Sequence, residues 1–379
     1  MTDKLNLNTY CTNAFGGFDH RLSNICCEVS IPGQKNITFH NLINSPTVVN
    51  IQKNILKGIK SVECSGCWDD ENNGITSLRQ YALFQDDNPT LEQLHDTYNK
   101  QIVDKKIKNL VINSGINCNL ACRTCGSWSS SSHWIEDEWK HKKLFPNKKY
   151  TGAGYTQSLL ENVCNEDFSS VEKVSIMGGE PFLNLSHLKI LEKIISDGNS
   201  SNCTLYYTSN GTVEIHGKMH DTLKKFKKVH ITLSLDATKE QFYYIRTTGS
   251  WDAVLNNIKF LRESNISFNT HTVISALNIL YLDPVIELVQ ELKIEPAWIF
   301  CEYPLHYSLQ IFNDKEKHSI ITYLQEINFN LSFLVDYIKT VNYSSSMRNK
   351  FFEEINLTKE FRNLNINDYL PKLTALLKE

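Results

Sequence analysis

The residues best equipped for chemistry are Cys118, Cys122 and Cys125, set within one short stretch as Cys-Asn-Leu-Ala-Cys-Arg-Thr-Cys. They follow an apolar run, Leu110 to Ile112, and a polar turn, Asn113-Ser114-Gly115. Three thiolates at a strand end can hold three irons of a cubane iron–sulfur cluster and leave the fourth iron open. A closed structural metal site ordinarily takes four protein donors. Two plainer readings stand beside the open cluster: a zinc knuckle completed by His133, and three buried thiols.

A second group lies near the N-terminus: Cys11, the pair Cys26-Cys27, and Cys64-Ser-Gly-Cys67. Cys11, one of Cys26 or Cys27, Cys64 and Cys67 make a complete four-thiolate set, with structural zinc as the simpler occupant. Few apolar periodic runs precede Ser45, and a small segment with little core needs a staple such as a metal. Phe15-Gly16-Gly17-Phe18 reads as a turn. Pro46 to Lys57 reads as a helix, with Ser45 as its cap, Pro46 at its first position and Gly58 ending it. Asp86-Asp87-Asn88-Pro89 reads as a turn or linker and Leu91 to Tyr98 as a short helix.

Elements that would position the central triad follow from about residue 107. Strands are expected at 108–113, 169–177, 205–208, 229–235, 268–274 and 297–301. Helices are expected between them at 185–196, 218–226, 251–264 and 284–292. Such alternation implies parallel strands, with functional groups gathered at their C-terminal ends. The residues there are Gly178-Gly179-Glu180-Pro181, Ser209-Asn210-Gly211, Ser234-Leu235-Asp236 and Cys301-Glu302. Two glycines let backbone approach a ligand closely, and Glu180 offers an anionic acceptor for an ammonium group. Ordinary turns and helix caps are the competing reading for most of these. Arg246, His271, Thr272 and Asn278 lie nearby in the pattern. Beyond residue 313 the alternation stops; 320–337 and 371–377 read as helices and the segment around Ser344 as a loop.

Cys-x3-Cys-x2-Cys after a first strand, with Gly-Gly-Glu-Pro one strand later, resembles the signature of radical S-adenosylmethionine (radical SAM) enzymes. The N-terminal cysteines, together with Trp68, Glu71, Gly74, Ser77 and Arg79, resemble the twitch module, a short relative of the SPASM domain, found in a phage and bacterial group of that family. The sequence departs from the family pattern at Thr124, where an aromatic residue is usual, at Thr12-Asn13-Ala14 after Cys11, and at Arg21.

The resemblance implies an α/β fold: a partial (β/α)6 TIM-like barrel at 101–310, a Cys-rich iron–sulfur twitch domain at 1–100, and a helical C-terminal extension at 311–379. It implies a [4Fe-4S] cluster on Cys118, Cys122 and Cys125. An auxiliary Fe-S cluster would sit on Cys11, Cys26, Cys64 and Cys67, with Cys27 as the alternative to Cys26. S-adenosyl-L-methionine would be held by Gly178, Gly179, Glu180, Pro181, Ser209, Asn210, Ser234, Asp236 and Arg246. Cys301 is a candidate hydrogen donor, with an inert buried thiol as the alternative. The expected substrate is a peptide or protein side chain. The alternatives are dehydrogenation or epimerisation of a small molecule such as a sugar or nucleotide, and a zinc-stabilised binding module without chemistry. A flavodoxin- or ferredoxin-type reductant is the expected electron source.

The bulk composition bounds these readings. A chain of 379 residues buries a sizeable core. Its net charge of −3 argues against a general nucleic-acid surface. No apolar signal region opens the sequence and no apolar run reaches bilayer length, so a cytoplasmic protein without a membrane partner is expected. Eleven cysteines, odd in number and clustered, fit metal binding in a reducing compartment better than a disulfide framework.

Overall fold

A computed structural model describes residues 9–19, 24–26, 29, 37–72, 77–80, 96, 105–150 and 163–378. The expected turn at 86–89, most of the helix expected at 91–98, and Cys27, Arg21 and Gly74 lie outside them.

A seven-stranded parallel sheet forms the frame. In chain order its strands are β1 (Gly17–Asp19), β2 (Asn109–Asn113), β4 (Lys173–Met177), β5 (Thr204–Ser209), β6 (Lys228–Ser234), β8 (Ser267–Ile274) and β9 (Pro296–Phe300). They lie side by side in that order. Two short strands, β3 (Ala121–Cys122) and β7 (Arg246–Thr247), pair antiparallel outside it. Among the described residues no pairing joins β1 to β9, so the sheet is open.

Burial alternates along β2 and β4, where Leu110, Ile112, Val174 and Ile176 are at most 1 % exposed. This period of two lets branched side chains fill one face while the other meets loops or solvent. The intervening helices Leu188–Ser196, Gly217–Leu223, Trp251–Glu263 and Asp283–Leu292 turn apolar faces inward, as with Leu188, Leu191 and Ile194. The six strands expected from alternation are all present, within a few residues of their expected bounds.

Four local expectations change. Phe15-Gly16-Gly17-Phe18 is not a turn: Asn13–Gly16 is one helical turn, and Gly17 starts β1 beside Asn109. A Cβ on Gly17 would stand 2.2 Å from the Ile25 carbonyl oxygen, so glycine serves close packing here. The described N-terminal residues have no separate core, since Tyr10, Phe15, Phe18, Ile43 and Ile51 share one apolar cluster with Leu110, Val174 and Leu205. The expected helix at 320–337 is two, Asp314–Glu326 and Ser332–Thr340, separated by an extended Ile327 and an Asn330 side chain that accepts from Ser332 N. The presumed loop around Ser344 is an N-cap: its Oγ accepts from Met347 N and opens an 18-residue helix, Ser345–Arg362. Weak apolar periodicity hides that helix in the sequence, because its buried residues are few.

The helix expected at Pro46 to Lys57 is found as Pro46–Leu56, capped by Ser45 and followed by Gly58 at φ 70°. A second apolar cluster joins the end of β8 and the following loop to the C-terminal helices through Ile274, Leu277, Ile311, Phe351 and Leu373. The tail therefore packs onto the side of the sheet where β8 and β9 end. Among the described residues no helix is long and apolar enough to cross a membrane.

Candidate active site

The cysteine loop leaves β2 and is held from three sides. Gly179 N donates to Gly115 O (2.6 Å) and Glu180 N to Asn117 O (2.8 Å), so the segment after β4 lies against the approach to Cys118. Cβ atoms would reach 2.6 Å from Gly115 O at Gly178 and 2.4 Å from Asn117 O at Gly179. Gly178 also has φ +137°. These glycines are required for loop-on-loop contact.

Glu180 is fully buried. Its carboxylate accepts from Phe182 N (3.1 Å), Ser209 Oγ (3.0 Å) and Asn210 N (2.7 Å), which ties the end of β4 to the end of β5. Burial raises its pKa to about 7, with those three donors pulling the other way. Pro181 follows in the same segment.

From the end of β5, Asn210 reaches back to the loop. Its Nδ2 donates to Asn119 Oδ1 (3.0 Å) and contacts Cys118 Sγ at 3.7 Å. Asn119 in turn donates to Thr212 Oγ1 (2.9 Å). Leu120 N also points at Cys118 Sγ (3.4 Å).

The third side is the β3–β7 ribbon, which puts Cys122 opposite Arg246. Arg246 Nη1 lies 3.9 Å from Cys122 Sγ, and Nη2 forms an ion pair with Asp236 at 2.8 Å. Both partners are buried, and the other carboxylate oxygen of Asp236 accepts from Val273 N (2.9 Å). Asn278 braces the same corner, donating to Asp236 O and Val273 O and accepting from Ser275 N. Ser234 is half-buried beside it, Thr272 Oγ1 donates to Leu235 O, and burial lowers the pKa of His271.

Burial pushes the thiol pKa of Cys122 up to about 12 and that of Cys125 up to about 11, and raises that of Cys118. Such thiols stay protonated unless a metal takes the proton's place. The soft donor set and the donors aimed at sulfur suit an iron–sulfur centre. Among the described residues no group of three or more His, Cys, Asp or Glu side chains is arranged around a single ion. Thiolates on one tetrahedral zinc sit about 3.8 Å apart, whereas ligands on different irons of a cluster need not converge on one point.

Cys301, after β9, is buried; its Sγ faces Pro304 O at 3.8 Å, and burial pushes its pKa up to about 12. At the N-terminal group, Cys11 and Cys67 lie close enough to Cys64 to act on its titration, and burial raises that thiol to about 12. Cys26 is buried in the shared apolar cluster. Arg79 holds Glu71 with two prongs (2.9 and 2.8 Å) and donates to Tyr10 O, making a strut beside Cys11.

Several residues that sequence reasoning passed over belong to this framework. Thr248 Oγ1 donates to Asn119 O. Arg362, at the end of the long tail helix, donates to Ala121 O (2.7 Å) and Thr247 Oγ1 (2.6 Å) and pairs with buried Glu136 (2.7 Å). It thus clasps both strands of the ribbon that carries Cys122 and Arg246. Arg123 lies between two cysteines of the motif; its sequence position was the only signal.

Residues 112–292 match the model of the Radical SAM superfamily. A cysteine-type anaerobic sulfatase-maturating enzyme from Clostridium novyi (strain NT) is 24% identical over 194 residues, 48% of this chain and 47% of the relative. The chain therefore spans about half the length of that relative. Among solved structures, anSMEcpe with bound AdoMet aligns at 21% identity and a TM-score of 0.40, covering 62% of this chain and 63% of that one. Streptococcus suis SuiB bound to S-adenosylmethionine aligns at 16% identity and a TM-score of 0.36, over 78% of this chain and 64% of that one.

Proposed function

This chain belongs to the radical SAM superfamily through residues 112–292, and from that premise we propose that it reductively cleaves S-adenosylmethionine and uses the 5′-deoxyadenosyl radical to take hydrogen from a substrate carbon. What supports this reading is that Asn210, from the end of β5, lies against Cys118, and that Arg246 of β7, paired with Asp236 from the end of β6, lies against Cys122.

Cys118, Cys122 and Cys125 would hold a [4Fe-4S] cluster, which when bound supplies the electron for cleavage. Asn210, Leu120 N and Arg246 place donors around two of the sulfurs and favour the thiolate form. Gly178, Gly179, Glu180 and Pro181, with Ser209, frame the amino-acid end of the cofactor. Glu180 keeps an acceptor position beyond the three it already uses. Ser234, Asp236 and Arg246 frame its ribose and carboxylate. The seven-stranded sheet corresponds in this reading to the open barrel of the family. Cys11, Cys26, Cys64 and Cys67 would hold the auxiliary cluster, with Cys27 the alternative to Cys26.

The preferred substrate is a peptide or protein side chain, in keeping with a relative named for maturing a sulfatase. Cys301 has its thiol turned to Pro304 O, which favours this over epimerisation with a thiol hydrogen donor. A flavodoxin- or ferredoxin-type protein would deliver the electron.

The test is anaerobic loading with iron and sulfide, then SAM and dithionite. About eight irons per chain are expected if both clusters are cubanes, with 5′-deoxyadenosine as product. Cys118→Ala should abolish that product. A protein that loads iron and yields no 5′-deoxyadenosine would end the reading.

A further inference from the structure

A cleft of about 190 Å³ opens beside Cys125, and neither Asp236 nor Arg246 lines it. Its walls come from the cysteine loop, the helix Trp134–Leu144, the segment after β9 and the tail helix Ser345–Arg362. Trp128 and Tyr303 lie at this cleft, 47% and 68% exposed, with ring centroids 4.9 Å apart.

The wall of this cleft carries polar atoms without a purpose so far. Arg123 is 2% exposed, its Nε donates to Tyr244 O (2.9 Å), and its Cζ stands over the Tyr244 ring, 3.6 Å from the centroid. Neither Nη1 nor Nη2 has a hydrogen-bond partner among the described residues. His133, 4% exposed, likewise leaves Nε2 without one. Burying a guanidinium with both terminal nitrogens unpaired is costly, and the cost falls when an anion takes them. Apart from Asp137, the other Asp, Glu, Lys and Arg side chains of the wall are already paired. Glu136 pairs with Lys140 and Arg362, and Glu354 with Lys140 and Lys350. Asp137, also on the wall, adds one negative charge of its own. The planar fork of arginine matches a carboxylate in two-pronged fashion.

We propose that Arg123, assisted by His133, anchors a carboxylate of a peptidic substrate in this cleft, with Trp128 and Tyr303 forming an apolar rim against the adjoining residues. The inference rests on the radical SAM reading and names a chemical feature of its substrate. The carboxylate is either a peptide C-terminus or an Asp or Glu side chain.

The test uses anaerobically reconstituted protein and three probes: N-acetylglycine, N-acetylaspartic acid α-methylamide and the neutral N-acetylglycine methylamide. Binding is read by saturation-transfer NMR and calorimetry. At least one carboxylate probe should bind saturably and the neutral probe at least tenfold more weakly. Which carboxylate binds better identifies the source. Arg123→Gln should weaken the carboxylate probe at least tenfold, Arg123→Lys less, and His133→Gln a few-fold. Should Arg123→Gln fail to fold, the wild-type contrast between charged and neutral probes and the His133→Gln variant decide. Equal binding of charged and neutral probes, no binding of any, or complete displacement by SAM would overturn the proposal. Loss of 5′-deoxyadenosine formation is a separate readout, and it bears on the superfamily reading alone.

Discussion

At the residue scale the site depends on pairs of buried polar groups, and removing one member of such a pair should be expensive. Arg246 and Asp236 form a buried pair at 2.8 Å. Breaking such a pair leaves an uncompensated charge and costs about 3–5 kcal/mol. Asp236→Ala should lower stability to urea by about that amount. A loss under about 1 kcal/mol would mean that Arg246 finds another partner.

Glu180 gives a pH signature. Its folded pKa, near 7, lies above the ordinary 4.5, so the folded state holds a proton that the unfolded chain has released between those values. Its contribution to stability therefore falls as pH rises from 4.5 to 7. His187 acts in the opposite sense. Buried against Tyr207 Oη, it has a pKa lowered to about 4, so its contribution is full above 6.5 and is lost as pH falls toward 4. The two windows overlap and the slopes offset each other. Glu180→Gln should unmask the histidine slope, making the protein gain stability with pH between 4.5 and 6.5 more steeply than wild type. Unfolding curves at pH 5 and 6.5 give the answer.

At the element scale, loops and helix ends hold the cysteine motif. Gly179→Ala places a methyl 2.4 Å from Asn117 O, a backbone atom that cannot swing aside. Parting the two loops should cost about 1–3 kcal/mol and lower iron uptake on reconstitution. Unchanged uptake would show that the loop contact does not govern the motif. Arg362→Ala cuts the bonds to both strands of the ribbon and strips Glu136 of one cation. A loss of about 3 kcal/mol is expected, with proteolysis appearing first near the tail helix. Arg362→Lys keeps the charge and lacks the fork, so it should recover only part.

At the scale of the whole molecule, the seven-stranded sheet, open among the described residues, carries two apolar clusters. The first gathers the N-terminal segment with β1, β2, β4, β5 and β6; the second binds the tail to the ends of β8 and β9. Truncation after residue 343 would expose the partners of Phe351, Ile355, Leu370, Leu373 and Leu376, each worth about 2 kcal/mol of burial. The truncated chain should aggregate or bind a hydrophobic dye. A soluble, cooperatively unfolding product would show instead that the tail is dispensable for folding.

Much of the frame was legible because strand and helix periods are local. Val174 and Ile176, or Leu188, Leu191 and Ile194, announce their faces within a few residues. The cysteine triad and Gly-Gly-Glu-Pro were legible as spacing, and so was Ser45-Pro46 as a helix start. Sequence could not tell that Gly178 and Gly179 serve a loop contact, because the atoms they avoid belong to residues 113–117. Nor could it place Arg362 on Ala121 and Thr247, or leave the two terminal nitrogens of Arg123 unpaired among the described residues, beside a cleft formed partly by the tail. Local propensity and spacing are written in neighbouring residues. Which buried charge meets which partner is set by contacts between segments far apart in the chain, and only the folded arrangement decides it.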